Sequence, residues 1–282
     1  MAATAIAFSD RTGLLYRHHV AAQSIAPRFV DVWCPPAYEF NQHARYPVIY
    51  MHDGQNLFDP AISYARVDWG IDEAITHLID THAISGAIVV GIWNTALRQR
   101  EYMPNKPLAL PQHELALMQF CEQANGAPLS DQYLAFITNE LKPLIDTTYR
   151  TLPDREHTFV MGSSRGALIS LYALIEYPHV FAGAGCVSTH WPAGGNMLVD
   201  WMGGNLPQAG QQRLYFDYGT KTLDATYEPY QQRMDGLVQQ AGYRQGQDWL
   251  TKKFVGAEHN ERAWRARVEQ PLAFLLDNQG HG

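Results

Sequence analysis

Hydrophobic residues in this chain gather in short runs whose spacing alternates between the two-residue period of strands and the 3.6-residue period of helices. Residues 14–22 and 28–33 predict two strands, joined by Gln23-Ser24-Ile25-Ala26-Pro27, a link short enough for an antiparallel pair. Pro35 and Pro36 end the second strand. Tyr46-Pro47-Val48-Ile49-Tyr50-Met51 reads as a third, stopping at His52-Asp53-Gly54-Gln55-Asn56. An amphipathic helix follows over 68–81, with Ile71, Ile75, Leu78 and Ile79 on one face. Residues 86–93 are apolar throughout, as befits a central parallel strand covered on both faces.

The pattern lapses over 94–128, a Pro-, Asn- and Gln-containing excursion without a convincing period, and again over 189–212, which holds His190-Trp191-Pro192 and several glycines. Both are expected to be irregular insertions that shape a pocket. Between them, a helix from Ser130, as N-cap, carries Leu134, Ile137, Leu141, Leu144 and Ile145 inward, with Pro143 kinking its last turns. Phe159-Val160-Met161 is a buried strand, Gly162-Ser163-Ser164-Arg165-Gly166 a sharp turn, and 167–177 a helix. Strands at 181–187, 213–218 and 251–255 and helices at 225–240 and 260–276 complete the chain. This alternation predicts an α/β fold: one domain over 1–282, with a mostly parallel twisted sheet, antiparallel strands at its N-terminal edge and helices on both faces. There is no internal repeat and no linker that would split the chain.

Composition narrows the class. At 282 residues, 46% hydrophobic and 17% charged, the chain reads as an ordinary globular protein with ample core. A formal charge of -7 and the lack of any basic run argue against nucleic acid and anionic membrane as partners. Cys34, Cys121 and Cys186 are scattered without metal-ligand spacing, and their odd number speaks for buried reduced thiols rather than a disulfide framework. No basic n-region precedes the few apolar residues of 1–10, and no apolar run is long enough to span a bilayer, so a cytoplasmic location is expected.

The strand-turn-helix order around Gly162-Ser163-Ser164-Arg165-Gly166 puts Ser164 on a nucleophile elbow, where the hydroxyl projects from the sheet's C-terminal edge and the flanking glycines allow strained backbone. Only Ser164, not Ser163, stands in the elbow register. An unassisted serine is a poor nucleophile, so a base is needed. His259, directly after the last strand, is the candidate among 12 histidines. Asp224, on the loop after the preceding strand, is the carboxylate expected to hold its tautomer, giving the α/β-hydrolase order Ser, Asp, His. Asp217 and Glu228 lie near enough to compete, and Asp224 could instead cap the next helix. The oxyanion donors expected are the backbone N–H of Arg165 and one from Gly54-Gln55. His52 and Asp53 have no further ligands spaced to make a metal site.

These residues resemble the Putative esterase, or esterase D-like, family of the α/β-hydrolase superfamily, related to siderophore esterases, S-formylglutathione hydrolases and feruloyl esterases. The likeness rests on Tyr50-Met51-His52-Asp53-Gly54-Gln55-Asn56-Leu57-Phe58, Arg100-Glu101-Tyr102-Met103-Pro104, the Ser164 elbow, and Gly256-Ala257-Glu258-His259-Asn260-Glu261 followed by Trp264. It implies a serine esterase acting on a small-molecule ester through an acyl-enzyme, without cofactor or metal. Ser164 would be the nucleophile, His259 the base, and the Gly54-Gln55 loop half of the oxyanion hole. Ala167 replaces a second elbow glycine, and Asp224 stands later after Gly219-Thr220 than in relatives, some of which resemble Ser-His dyads. Acyl transfer to an alcohol, or a binding protein that kept the fold and lost the chemistry, are the rival readings. Trp69, Trp93, Tyr102, His190 and Trp191 are expected to line the pocket, while Arg98 and Arg100 could meet an acidic substrate or simply be solvated.

Overall fold

The computed structural model describes residues 4–6 and 13–277; apart from Thr4–Ile6, the N-terminal stretch read above lies outside the described residues. Among the described residues, nine strands form one sheet in the order β1-β2-β3-β5-β4-β6-β7-β8-β9. They are β1 (Thr4–Ile6), β2 (Leu14–Val20), β3 (Arg28–Cys34), β4 (Val48–His52), β5 (Ile88–Ile92), β6 (Thr158–Ser163), β7 (Gly183–Val187), β8 (Arg213–Tyr218) and β9 (Trp249–Lys253). Strands β1 to β3 and the β3–β5 pair are antiparallel, and all other pairings are parallel. The antiparallel edge and parallel body match the expected architecture; β1 is an addition that the sequence pattern did not show.

The sheet is covered on both faces because its central strands are apolar on both. In β4, Tyr50 joins one core cluster with Val90, Val160 and Phe216, while its neighbours Ile49 and Met51 join the other with Val89 and Met161. The helix Arg165–Glu176 fills the first side, buried without a break from Gly166 to Leu174. Ser170, within that stretch, donates its hydroxyl to the Gly166 carbonyl at 2.7 Å. The helix Ile71–Asp80 and the closing helices pack on the second side.

The two segments expected to be irregular contain helices. Between β5 and Ser130 lie Arg98–Glu101, Asn105–Leu108 and Glu114–Gln123. The first two are single turns, too short to show a period, and the third exposes Leu115 and Met118, which blurs its apolar face. After β7, Asn196–Gly204 is helical despite its glycines. Gly203 permits that packing, since a Cβ there would lie 2.4 Å from Leu237 of the helix Glu228–Gln240.

Proline reshapes two further helices. The helix from Ser130 runs as Ser130–Phe136, widens into a π-helical turn over Ile137–Leu141, and resumes as Lys142–Thr148 with Pro143 in its first turn. Leu129, not Ser130, is its N-cap; the Ser130 hydroxyl accepts the Asn105 N–H instead, at 3.0 Å. The closing helix is broken into Glu261–Arg265 and Glu269–Leu276, because Pro271 has no N–H to give and sits where only a first turn tolerates it. Cys34 and Cys186 are buried, Cys121 is half-buried, and none is paired.

Candidate active site

Strand β6 ends at the buried Ser163, and the chain then turns through Ser164, at φ 57° and ψ −119°, into the helix Arg165–Glu176. Such a backbone costs roughly 1–3 kcal/mol for a residue with a Cβ. The corner is held by the Ser164 N–H, which donates to the Val187 carbonyl at 2.9 Å, and by the flanking glycines. A Cβ on Gly162 would stand 2.8 Å from the Gly166 carbonyl carbon, so any side chain there would force strand and helix apart.

His259 follows a turn at Gly256, and its Nδ1 lies 2.6 Å from Asp224 Oδ1. Asp224 Oδ2 accepts from Ser188 Oγ and from the Gly219 N–H, each at 2.6 Å. Burial alone would raise the Asp224 pKa, but the hydrogen bonds from His259, Ser188 and Gly219 outweigh it and hold the carboxyl below its ordinary value. Ser188 is itself held from behind: its oxygen accepts from Trp264 Nε1 at 3.1 Å and Arg267 Nη2 at 2.8 Å. Asp217, the nearby alternative, is bound elsewhere, 3.0 Å from Arg267 Nη2 and 3.1 Å from the Tyr215 hydroxyl. Burial keeps the Asp217 pKa raised despite Arg267. Glu228, the other alternative, pairs with Lys253 at 2.7 Å.

The late position of Asp224 has a local reason. The loops after β8 and β9 are laced together: the Thr220 and Lys221 N–H groups donate to the Ala257 carbonyl at 3.0 Å, the Gly256 N–H to Thr220 Oγ1 at 2.7 Å, and the His259 N–H to Thr222 Oγ1 at 2.8 Å. The residues between Gly219 and Asp224 therefore fix the His259 backbone while Asp224 fixes its ring. Asp224 caps no helix; it lies inside the 3-10 turn Thr222–Thr226, ahead of the helix Glu228–Gln240. No hydrogen bond joins Ser164 Oγ to His259 Nε2 among the described residues, a looseness common before substrate binds.

The other wall is the turn after β4. Gly54–Asn56 is a 3-10 turn set against β5 so closely that a Cβ on Gly54 would lie 2.3 Å from the Gly91 carbonyl carbon. It also abuts the elbow, because a Cβ on Gly166 would come 3.4 Å from His52 Cβ. Asp53, at φ 58°, is pinned by a bidentate Arg98 pair at 2.7 Å, by Asn94 Nδ2 at 2.6 Å, and by the Tyr102 hydroxyl on its N–H at 3.2 Å. Beneath it, His52 Nδ1 lies 2.7 Å from the Tyr133 hydroxyl, and burial drives the His52 pKa down to about 3. Neither the Gln55 nor the Arg165 N–H has a backbone acceptor among the described residues.

The aromatic residues expected to line a pocket divide. Trp191 and Tyr102 are fully buried; Trp191 Nε1 donates to Gln231 at 3.0 Å. Trp93 packs under the Arg17 guanidinium, 4.4 Å from its ring centroid, and donates to Asp31, on the antiparallel side of the sheet. Trp69 stacks on Trp264, which stands edge-on to His259. His190 alone reaches the His259 ring, at 6.5 Å. Large rings near strand ends find more surface to bury in the core than at an open edge, which is why Trp69, Tyr102 and Trp191 are buried. Arg98 is committed to Asp53, and Arg100 donates to the Ala127 carbonyl at 2.7 Å. Tyr227 escaped sequence reading: its hydroxyl lies 2.6 Å from His190 Nδ1 and its ring edge-on to His259 at 5.6 Å. A cavity of about 740 Å³ opens among the strand starts, beside Pro47, Phe159, Ala182 and Arg213.

The sequence profile described as "Putative esterase" matches residues 26–275. A Bacillus subtilis (strain 168) protein, YbbA, itself described as uncharacterized, is 25% identical over 165 residues, spanning 58% of each chain. Among solved structures, a ferulic acid esterase superposes with TM-score 0.68 at 16% identity, covering 94% of this chain and 98% of its own. An IroE-like serine hydrolase from Shewanella oneidensis gives 0.69 at 19% identity, covering 93% and 78%. The enterobactin esterase FES from Shigella flexneri gives 0.63 at 17%, covering 93% and 58%. The chain has the α/β-hydrolase fold and belongs to the Putative esterase family.

Proposed function

We propose that the protein hydrolyses carboxylic esters through an acyl-enzyme on Ser164. The observation that carries this reading is the 2.6 Å bond from His259 Nδ1 to a buried Asp224, at the same sheet edge as a serine held at φ 57°. With Nδ1–H donated to Asp224, the neutral imidazole presents Nε2 as a base. Substrate binding brings Ser164 Oγ onto Nε2. Oγ then bonds to the carbonyl carbon as its proton passes to Nε2, and the oxyanion is met by the N–H groups of Arg165 and of the Gly54-Gln55 turn. Collapse breaks the bond to the alcohol oxygen, which leaves with the proton from Nε2. Water then attacks the acyl carbon, giving its proton to His259, and Ser164 is released with the acid.

The substrate is a small-molecule ester. The helical segments 94–128 and 189–212 shape the approach to Ser164, the second through His190. Among the described residues no helix is long and apolar enough to cross a membrane. Reaction with a fluorophosphonate probe should label Ser164, and Ser164→Ala should abolish both labelling and p-nitrophenyl acetate hydrolysis. Unchanged hydrolysis by Ser164→Ala would refute the reading.

A further inference from the structure

Among the described residues, the two fully buried arginines, Arg28 and Arg267, and the half-buried Arg98 beside the site are matched to carboxylates, whereas the half-buried Arg165 is not. Arg28 pairs with Glu101, Arg98 with Asp53 and Arg267 with Asp217, at 2.6 to 3.0 Å. Arg165, the residue after the nucleophile, has its Nη1 fully buried and without a hydrogen-bond partner, and no carboxylate lies among the charges that act on it. Burial, with Arg98 nearby, makes its charged form costly, and the Arg165 pKa is lowered accordingly. Two carboxylates of the site are engaged with other partners: Asp53 is forked to Arg98, and Asp224 is held by His259, Ser188 and Gly219.

The guanidinium lies on the reacting side of the site. Its charge acts on His190 and on Tyr227, two of the three residues whose rings stand against His259. It is therefore a half-buried planar donor, one residue from the nucleophile and with an unpaired Nη1, whose partial burial strengthens its interaction with an anion.

We propose that Arg165 selects esters carrying a carboxylate within a few bonds of the scissile carbonyl, binding that carboxylate through its guanidinium. The inference rests on the esterase reading above and names its substrate class. It gives Arg165 two separable duties: its N–H serves the oxyanion, and its side chain serves the substrate's charge.

The test uses matched ester pairs and a binding measurement without turnover. Mono-p-nitrophenyl glutarate against its methyl ester places the charge on the acyl side, and 4-acetoxybenzoate against its methyl ester places it on the alcohol side. Wild type should favour the anionic member of one pair by about 10- to 100-fold in kcat/KM, chiefly through KM, the range expected of a charged hydrogen bond. Arg165→Met should erase the ratio and Arg165→Lys should keep part of it; taking ratios cancels any effect on the oxyanion N–H. Calorimetric titration of glutarate and of 4-hydroxybenzoate into Ser164→Ala, with and without Arg165→Met, reads anion binding alone. Equal rates within both pairs, or a preference that survives Arg165→Met, would overturn the proposal while leaving the esterase reading intact. Arg165-dependent binding with no hydrolysis of any ester would uphold the anion site and sink the esterase reading.

Discussion

Replacing Asp224 by asparagine tests the site at its least obvious point. The two oxygens of Asp224 face different donors: Oδ1 faces His259 Nδ1, and Oδ2 accepts from Ser188 Oγ and the Gly219 N–H. An amide has one oxygen, so it must choose. The Gly219 N–H can only donate, and an amide NH₂ turned toward it would set donor against donor in a buried pocket. The asparagine oxygen therefore takes the Oδ2 position and its NH₂ faces His259 Nδ1. Nδ1 must then accept, the proton moves to Nε2, and the base is lost with little change of shape. The expected loss is about 10³- to 10⁴-fold in kcat, the range for this substitution in a working triad, or about 4–5.5 kcal/mol in the barrier. Steady-state kinetics on p-nitrophenyl acetate at pH 7.5 measures it, with circular dichroism to show that the fold is kept. A variant within tenfold of wild type would mean that His259 works without Asp224, as a dyad.

Asp217→Asn is the counterpart: it removes the charge paired with buried Arg267 and should cost about 3 kcal/mol of stability in urea while kcat stays within a few-fold. Gly54→Ala should lower kcat by about 10²- to 10³-fold, the loss expected when an oxyanion donor moves away, since its Cβ meets rigid Gly91 backbone; normal kcat would remove this turn from the oxyanion hole. His52 sets an acid limit. With its pKa near 3 in the fold and 6.5 when unfolded, it takes up a proton on unfolding at intermediate pH, so stability is full above pH 6.5 and falls as pH drops toward 3. At pH 5 its share is about 2 kcal/mol, and the difference in urea stability between pH 7.5 and pH 5 should shrink by that amount in His52→Gln.

The parallel sheet was legible because its central strands, β4 to β6, are apolar on both faces. The Ser164 elbow was legible for a related reason: few sequences other than strand-turn-helix can place a serine between two glycines directly after a buried strand. The support behind Asp224 was not. Ser188, Trp264 and Arg267 come from three separate places in the sequence, and nothing local marks them as neighbours. The same holds for Tyr227 beside His259. The directions of the aromatic side chains were not legible, because position near a strand end does not say which way a ring turns. The short helices of 94–128 stayed hidden because they are held by tertiary contacts such as the fully buried Arg28–Glu101 pair, not by a face of their own.

The hold of Trp264 and Arg267 on Ser188 makes Asp224, the proposed triad carboxylate, a latecomer. The nucleophile corner is built from a strand and the helix directly after it, contacts of short range that form early in folding. The carboxylate is oriented only once the helix Glu261–Arg265 and the turn beyond it have docked across the sheet. A refolding chain should therefore regain its secondary structure and its buried serine before it regains turnover. The return of catalysis then works as a clock for the docking of the closing helices, one that can be read with a coloured ester and no added label.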